Sequence, residues 1–200
     1  FTGVIRAYKS NNCEGEAFET SSKMGKFPFP DWNDSIFSAS IEGVWVFYEN
    51  TYFNSREDGL EEYMFSASTD CRAFQKVGGK ISSFQYVGNQ WDYKANSLTL
   101  FKRTNFQGGH DEQVCLEGSN NEIPLPEHQS LIITGTFPWM VFQHPNYRGA
   151  FFCLIPPESN DVAPYAISDL TSADIPYNFI RSAKLGCDEI EPPYDDVEDF

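Results

Sequence analysis

The sequence predicts an all-β protein built from four related units. An aromatic residue, four further residues, a second aromatic, one more residue and a glycine occur at residues 101–108 and again at 142–149. Residues 48–55 and 8–15 are weaker copies, with Ser55 in place of the glycine and Cys13 in place of the second aromatic. The four copies begin 40, 53 and 41 residues apart. This spacing predicts a fourfold repeat of about 40 to 50 residues.

The motif itself predicts a folded hairpin. A strand ends in the first aromatic, the chain turns back sharply, and the second ring then lies against the first. The glycine takes a backbone conformation that residues with a Cβ rarely adopt.

Short alternating strands flank each hairpin. Opening strands are predicted at residues 4–8, 44–48, 98–101 and 139–142, and closing strands, each beginning with a serine, at 38–41, 83–87, 130–133 and 182–185. Period-2 runs between Gly, Pro and Asn turns are typical of antiparallel sheets in a sandwich or barrel. Helix is expected only as short turns, near residues 60–65 and 162–170.

Two repeats are expected to form one domain, because four strands alone cannot cover both faces of a sheet. The predicted fold is therefore all-β, with two domains that are each a two-sheet sandwich of about eight strands. Domain 1 is residues 1–90, with motifs 1–43 and 44–90, and domain 2 is residues 91–187, with motifs 97–135 and 136–187. Residues 188–200 are rich in Asp and Glu and are interpreted as an acidic tail.

The formal charge of -15 narrows the possible partners. It argues against nucleic acid and anionic membranes, because phosphates would be repelled. It is compatible with a cation, a basic protein partner, or simply an acidic surface. No apolar run approaches the 18 residues that a membrane span requires.

Five cysteines stand at positions 13, 71, 115, 153 and 187. We expect an extracellular protein with two disulfides and one spare thiol; the alternative is five buried thiols in the cytosol. The chain begins with Phe1, as a processed mature form or an excised fragment would. Cys13 with Cys71 is the simplest pairing in domain 1, whereas Cys115, Cys153 and Cys187 allow three pairings in domain 2. No C-x-x-C pair suggests structural zinc.

Motifs of catalysis are absent from the sequence: it has no G-x-S-x-G, Walker or H-E-x-x-H pattern. His110, Asp111 and Glu112 are consecutive, and neighbours on a strand point to opposite faces. His128 and His144 are isolated in turns and receive no chemical role. We therefore predict no catalytic residue and no enzyme.

The four repeats resemble the βγ-crystallins over nearly the whole chain. In that family each motif is a Greek key with the same aromatic hairpin and a serine that begins its last strand, and a Gly-x-Trp step joins two motifs. The resemblance therefore implies that both sandwiches have Greek-key topology. Gly43-Val44-Trp45 matches that step, whereas the step at residues 135–139 is two residues longer. The serines fall in register at Ser38, Ser83, Ser130 and Ser182. The resemblance implies that each hydroxyl ties its strand to the hairpin.

The resemblance also implies a possible calcium site. Family members outside vertebrate lenses carry two facing loops per domain with the pattern (Asn/Asp)(Asn/Asp)xx(Ser/Thr)Ser, and such oxygen donors suit calcium. The first loop, residues 33–38, keeps both acid or amide positions but has Phe37 at the hydroxyl position. The second loop, residues 78–83, keeps the hydroxyl, Ser82, but has glycines at the acid positions and Lys80 between.

These defects are complementary, so one calcium ion in domain 1 is the expectation, with Asn33, Asp34, Ser35 and Ser82 as the candidate ligands. The alternative is that Asn33 and Asp34 only cap a turn. The loops of domain 2, residues 125–130 and 177–182, lack the ligands, and Arg181 stands at a hydroxyl position, so no calcium is predicted there.

Two functions from different classes are compatible with this reading. The first is a non-enzymatic, secreted structural protein of βγ-crystallin type. The second is an extracellular binding module, similar to inhibitor or toxin-associated members of the fold. It would engage a basic protein partner through residues 54–59, residues 136–138 and the acidic tail. A lens-like refractive role is a third, less favoured option.

Overall fold

The structure, a computed structural model, describes residues 3–157 and 163–187. The acidic tail and Val162 lie outside these described residues. The all-β prediction is confirmed, and twelve strands are assigned within the described ranges. They are β1 (Ile5–Tyr8), β2 (Ala17–Thr20), β3 (Ser38–Tyr48), β4 (Glu61–Ala73), β5 (Ser83–Val87), β6 (Ser97–Phe101), β7 (Gln113–Leu116), β8 (Ser130–Thr134), β9 (Trp139–His144), β10 (Arg148–Leu154), β11 (Tyr165–Ile167) and β12 (Ser182–Leu185).

Helical structure in the described ranges is limited to 3-10 segments at Pro30–Trp32 and Leu170–Ala173 and a single turn at Thr51–Asn54. The expected helical turn at residues 60–65 is wrong, because this segment begins the long strand β4. Tertiary packing favours a strand here, because Tyr63 and Phe65 pack against a buried apolar cluster. No helix among the described residues is long and apolar enough to cross a membrane.

The first half of the chain forms two layers joined by two long strands. The start of β3 pairs with β1, whereas its end pairs with β5. β4 follows β3 along both halves, with an irregularity between Ile41 and Gly43. Gly43 has φ +84°, and a Cβ there would lie 2.6 Å from the Tyr86 hydroxyl, so glycine is required where the chain passes between layers. The layers are β2-β1-β3-β4 and β5-β3-β4.

The second half repeats this topology with separate strands. Its sheets have the orders β7-β6-β8-β11 and β10-β9-β12. When the halves of β3 and β4 are counted apart, each domain has a four-stranded and a three-stranded sheet. This is the predicted two-domain Greek-key fold. The residue numbers proposed for the domain and motif limits stay a prediction.

Three apolar clusters form the core of the described residues. One is buried within the first half and includes Trp45, Phe47 and Phe84. A second is buried within the second half around Trp139 and Leu100. The third joins the two halves. It comprises Val44, Val46, Tyr48, Phe53, Val87, Phe101, Phe106 and Ile132.

The aromatic hairpins are folded as the sequence predicts. The paired rings of Phe101 and Phe106 have centroids 5.6 Å apart. Gly15, Gly108 and Gly149 have φ values of +83°, +136° and +81°. Ser55 differs, with φ -68°, and Asn54 before it takes the left-handed conformation instead. Asn tolerates that conformation better than Ser, so the hairpin survives the loss of its glycine.

The four serines make the same pair of hydrogen bonds. Ser130 Oγ donates to the Arg103 carbonyl at 2.6 Å and accepts from the Phe106 N–H at 3.0 Å. Ser38, Ser83 and Ser182 repeat this bridge at their own hairpins. The predicted serine tie is therefore confirmed in all four motifs.

Two disulfides are present among the described residues. Cys13 bonds to Cys71, as predicted, and Cys153 bonds to Cys187, which selects one of the three pairings left open in domain 2. Cys13 replaces an aromatic in the first hairpin, so a covalent link takes the place of a ring contact there. Cys115 is free and lies on the edge strand β7.

Candidate functional site: the facing loops of domain 1

The two predicted loops of domain 1 lie side by side. The first, residues 33–38, connects the segment Pro30–Trp32 to β3, and the second, residues 78–83, connects β4 to β5. Two backbone hydrogen bonds cross between them. The Asp34 N–H donates to the Ile81 carbonyl at 3.1 Å, and the Gly79 N–H donates to the Ile36 carbonyl at 2.8 Å. The loops are therefore held in register by main-chain contacts.

Asp34 and Ser82 meet at the centre of this arrangement. Ser82 Oγ donates a hydrogen bond to Asp34 Oδ1 at 3.2 Å, across 48 residues of sequence. The second carboxylate oxygen, Oδ2, accepts from Asn33 Nδ2 at 2.7 Å. Asp34 has φ +56°, a left-handed conformation that Asp tolerates, and its side chain is exposed. The structure thus brings together three of the four candidate ligands.

Ser35, the fourth candidate, is directed elsewhere. Its hydroxyl donates to the Asp31 carbonyl at 2.8 Å and so stabilises the turn that precedes it. Lys80 lies 3.8 Å from the carboxylate of Glu49, which offsets its positive charge near the loops. The charge that sequence analysis counted against calcium is therefore partly balanced by a neighbour.

The donor set suits calcium in kind but is small. Asp34 supplies one carboxylate, Ser82 a hydroxyl and Asn33 an amide oxygen. Calcium takes six to eight oxygen ligands, so waters and main-chain carbonyls would have to complete the shell. No group of three or more His, Cys, Asp and Glu residues suited to a metal occurs among the described residues. Such a site would bind weakly.

The other half of the double-loop motif is filled by packing. The exposed ring of Phe37 lies over Gly79, where an added Cβ would come within 2.8 Å of the ring. Gly79 also has φ +74°, which favours glycine. The two departures from the calcium pattern, Phe37 and the glycine pair, therefore fit each other. A ring occupies the place where a second ion would need a hydroxyl.

The corresponding loops of domain 2 are joined by a buried histidine. His128 is fully buried, its Nε2 accepts from the Ile180 N–H at 2.8 Å, and its Nδ1 lies 3.3 Å from the Leu125 carbonyl. These partners assign the proton to Nδ1. The backbone N–H of His128 also donates to Asn178 Oδ1 at 2.8 Å. Burial lowers the pKa of His128 to about 4, so the ring is neutral near pH 7.

Sequence reasoning assigned His128 no role and did not single out Glu62. The buried carboxylate of Glu62 accepts from the N–H groups of Gln75, Lys76 and Val77 at distances from 2.7 to 3.2 Å. This contact fixes the turn leading into the second loop. Both residues act on segments distant in sequence, so no local pattern reveals them.

Comparison with known proteins agrees with this architecture. The family profile described as Beta/Gamma crystallin matches residues 4–91. Geodin from Geodia cydonium, a beta-gamma crystallin, superposes with a TM-score of 0.70 at 16% identity, covering 92% of this chain and 99% of geodin. Residues 4–91 therefore belong to the Beta/Gamma crystallin family. The likeness to geodin shows the shared two-domain fold.

Two further solved structures match about half of this chain. A betagamma-crystallin from an archaeon matches with a TM-score of 0.38 at 21% identity, covering 46% of this chain and 98% of its own. Spherulin 3a from Physarum polycephalum matches with a TM-score of 0.34 at 18% identity, covering 48% and 86%. These scores are too low to support a functional argument. A search of curated proteins gives no match.

Proposed function

We propose that this βγ-crystallin is an extracellular, non-enzymatic structural protein that binds one calcium ion weakly in domain 1. Two disulfides and extensive buried apolar clusters support a body built to persist in an oxidising environment. His128, the buried histidine, has both ring nitrogens engaged with the backbone, which supports a structural rather than a catalytic role.

The contact between Asp34 and Ser82 carries the calcium proposal. Their oxygens lie 3.2 Å apart, on two loops that the backbone holds in register. An ion bound there would draw one carboxylate from the first loop and one hydroxyl from the second. With a single carboxylate the affinity falls in the weak range of extracellular calcium modules, with a Kd of about 10⁻⁴ to 10⁻³ M.

Calorimetric titration of the chelator-treated full chain with calcium tests the proposal. We expect one weak binding event and a rise in melting temperature. Asp34→Asn and Ser82→Ala should abolish both signals. Ser35→Ala is the matched control, because its hydroxyl donates to Asp31, and it should bind as the wild type does. Absence of heat in the wild type, or binding retained by Asp34→Asn, would refute the site.

The formal charge of -15 favours a second candidate function, capture of a basic protein. Of the predicted contact segments, residues 54–59 already face domain 2. Arg103 donates to the Asn54 carbonyl at 2.7 Å and forms an ion pair with Asp58, and Gln107 donates to the Gly59 carbonyl at 3.1 Å. Native mass spectrometry of source material, with and without chelator, would detect bound calcium and any basic subunit together.

A further inference from the structure

The two domains pack through different sheets. Domain 1 contributes the outer face of its three-stranded layer, β5-β3-β4, through Val46 and Tyr48. Domain 2 contributes the outer face of its four-stranded sheet, β7-β6-β8-β11, through Phe101, Phe106 and Ile132. The contact is therefore heterologous, with a three-stranded face seated on a four-stranded one. Each domain also has the other kind of face, which this contact leaves unused.

The unused face of domain 2, here called the apolar end, is the outer face of β10-β9-β12. It holds Met140 and Phe142, and the ring of Phe142 packs against the rings of Tyr147 and Phe151. Above them, Phe151 is 47% exposed, and Ile155, just after β10, is 65% exposed. In domain 1 the matching strands bury Val46 and Tyr48 against domain 2. The apolar end therefore resembles the face of domain 1 that packs on domain 2, but no domain covers it among the described residues.

The unused face of domain 1, here called the polar end, is the outer face of β2-β1-β3-β4. Arg6 stands opposite Glu19 on β2 and Ser40 on β3, so the three share this face. Together with Glu42 and Thr69 they line a hollow of about 230 Å³. This hollow occupies the position at which domain 2 receives domain 1 within the chain.

Charge is distributed to match across the two ends. The apolar end carries Arg148 on β10 and Lys184, which stands opposite Met140 on β12, and both are exposed. The polar end has Arg6, Glu19 and Glu42 lining its hollow, which leaves a net negative charge there. Opposite charges would thus face each other if one molecule's apolar end met another's polar end.

We propose that this crystallin associates head to tail, with the apolar end of one copy seated on the polar end of a second copy. The contact continues the packing of a three-stranded face on a four-stranded face that already joins the two domains. Phe151 and Ile155 lie over the hollow, and Arg148 and Lys184 face the carboxylates of Glu19 and Glu42 that line it. A heterologous contact of this kind does not close on itself, so it produces open chains of molecules.

The intermolecular contact is weaker than the one inside the chain. Domain 2 offers Phe106 and Ile132 to domain 1, whereas the polar end has the disulfide-bonded Cys13 and Ser40 at the corresponding positions. Less apolar area is therefore buried. The two copies are not covalently linked, so the extent of association depends on protein concentration.

Sedimentation analysis of the full chain over a wide concentration range tests this proposal. The mean mass of the wild type should rise continuously past that of a dimer. Ile155→Asp, at the apolar end, and the double variant Glu19→Lys/Glu42→Lys, at the polar end, should each remain monomeric. Phe29→Ser removes another exposed aromatic away from both ends and is the matched control, which should associate as the wild type does. Melting curves confirm that each variant is folded.

The decisive experiment mixes Ile155→Asp with Glu19→Lys/Glu42→Lys. Each retains one working end, so an equimolar mixture should form a one-to-one dimer and nothing larger. A closed dimer that Glu19→Lys/Glu42→Lys leaves intact would overturn the proposal in favour of a face-to-face contact between apolar ends. A wild type that stays monomeric at every concentration would also overturn the proposal.

Discussion

The hydroxyl of Tyr48 in domain 1 donates a hydrogen bond to the carbonyl of Phe106 in domain 2, at 2.5 Å. Tyr48 is the first aromatic of the second hairpin, and Phe106 is the second aromatic of the third. The same hydroxyl accepts from Gln85 Nε2 at 2.7 Å. Burial raises the pKa of Tyr48, so the hydroxyl remains a donor at alkaline pH. A buried polar chain therefore crosses the apolar centre of the domain contact.

Tyr48→Phe should weaken the coupling of the domains. It leaves the Gln85 amide and the Phe106 carbonyl without their buried partner, at a cost of about 1–3 kcal/mol of unfolding free energy. Calorimetry should show a lower melting temperature and a broader or divided transition. Tyr63→Phe is the control from the same interface. The ring centroids of Tyr63 and Phe106 lie 6.0 Å apart, and the Tyr63 hydroxyl makes no described hydrogen bond. Equal effects of the two substitutions would contradict the assignment.

Ser130→Ala should destabilise domain 2, although it removes only one buried hydroxyl group. It removes the bridge between the Arg103 carbonyl and the buried Phe106 N–H, at a cost of about 1–3 kcal/mol in the free energy of unfolding by denaturant. Ser172→Ala removes an exposed hydroxyl that donates to the Asp169 carbonyl at 2.6 Å, and it should change stability by no more than about 0.5 kcal/mol. A neutral Ser130→Ala would show that the serine bridge is dispensable.

Acid should destabilise domain 2 through His128. Its pKa is about 4 when folded and 6.5 when unfolded, so the unfolded chain takes up the proton first as pH falls. The contribution of His128 is complete above pH 6.5 and is lost between pH 6.5 and 4, by about 3 kcal/mol in total. Chemical unfolding at a series of pH values measures the slope.

His128→Gln should lower stability at pH 7 and flatten the slope between pH 6.5 and 4. His144→Gln, at an exposed position on β9, is the control and should keep the wild-type slope. If His128→Gln retains the full acid dependence, other groups are responsible for it.

Four of the five cysteines should be disulfide-bonded, and one should react slowly as a free thiol. A thiol reagent should label only Cys115 in the native chain, because Cys115 is exposed and the other four cysteines are bonded. Labelling should be slow at neutral pH, because desolvation raises the pKa of the Cys115 thiol. Cys13→Ser/Cys71→Ser, which opens a link across 58 residues, should lose about 2–4 kcal/mol of unfolding free energy. Cys115→Ser should be close to neutral. Labelling of two or more thiols before reduction would contradict the pairing.

The sequence by itself determined the features that repeat. The aromatic hairpins at residues 101–108 and 142–149, the four serines and the strand periodicity follow from short-range rules, because each depends on residues a few positions apart. The pairing of Cys13 with Cys71 followed from there being two cysteines in the first half. The candidate residues Asn33, Asp34 and Ser82 also came from position within the repeat.

Tertiary structure alone decided how these units meet. The distance from Asp34 to Ser82, the ring of Phe37 over Gly79 and the burial of His128 each join segments more than 40 residues apart. Their energies depend on desolvation and on which partner lies opposite, and no local pattern encodes either one. The same holds for the choice of sheet at the domain contact, which depends on which face keeps its apolar side chains. Local rules therefore fixed the units, and packing fixed their arrangement.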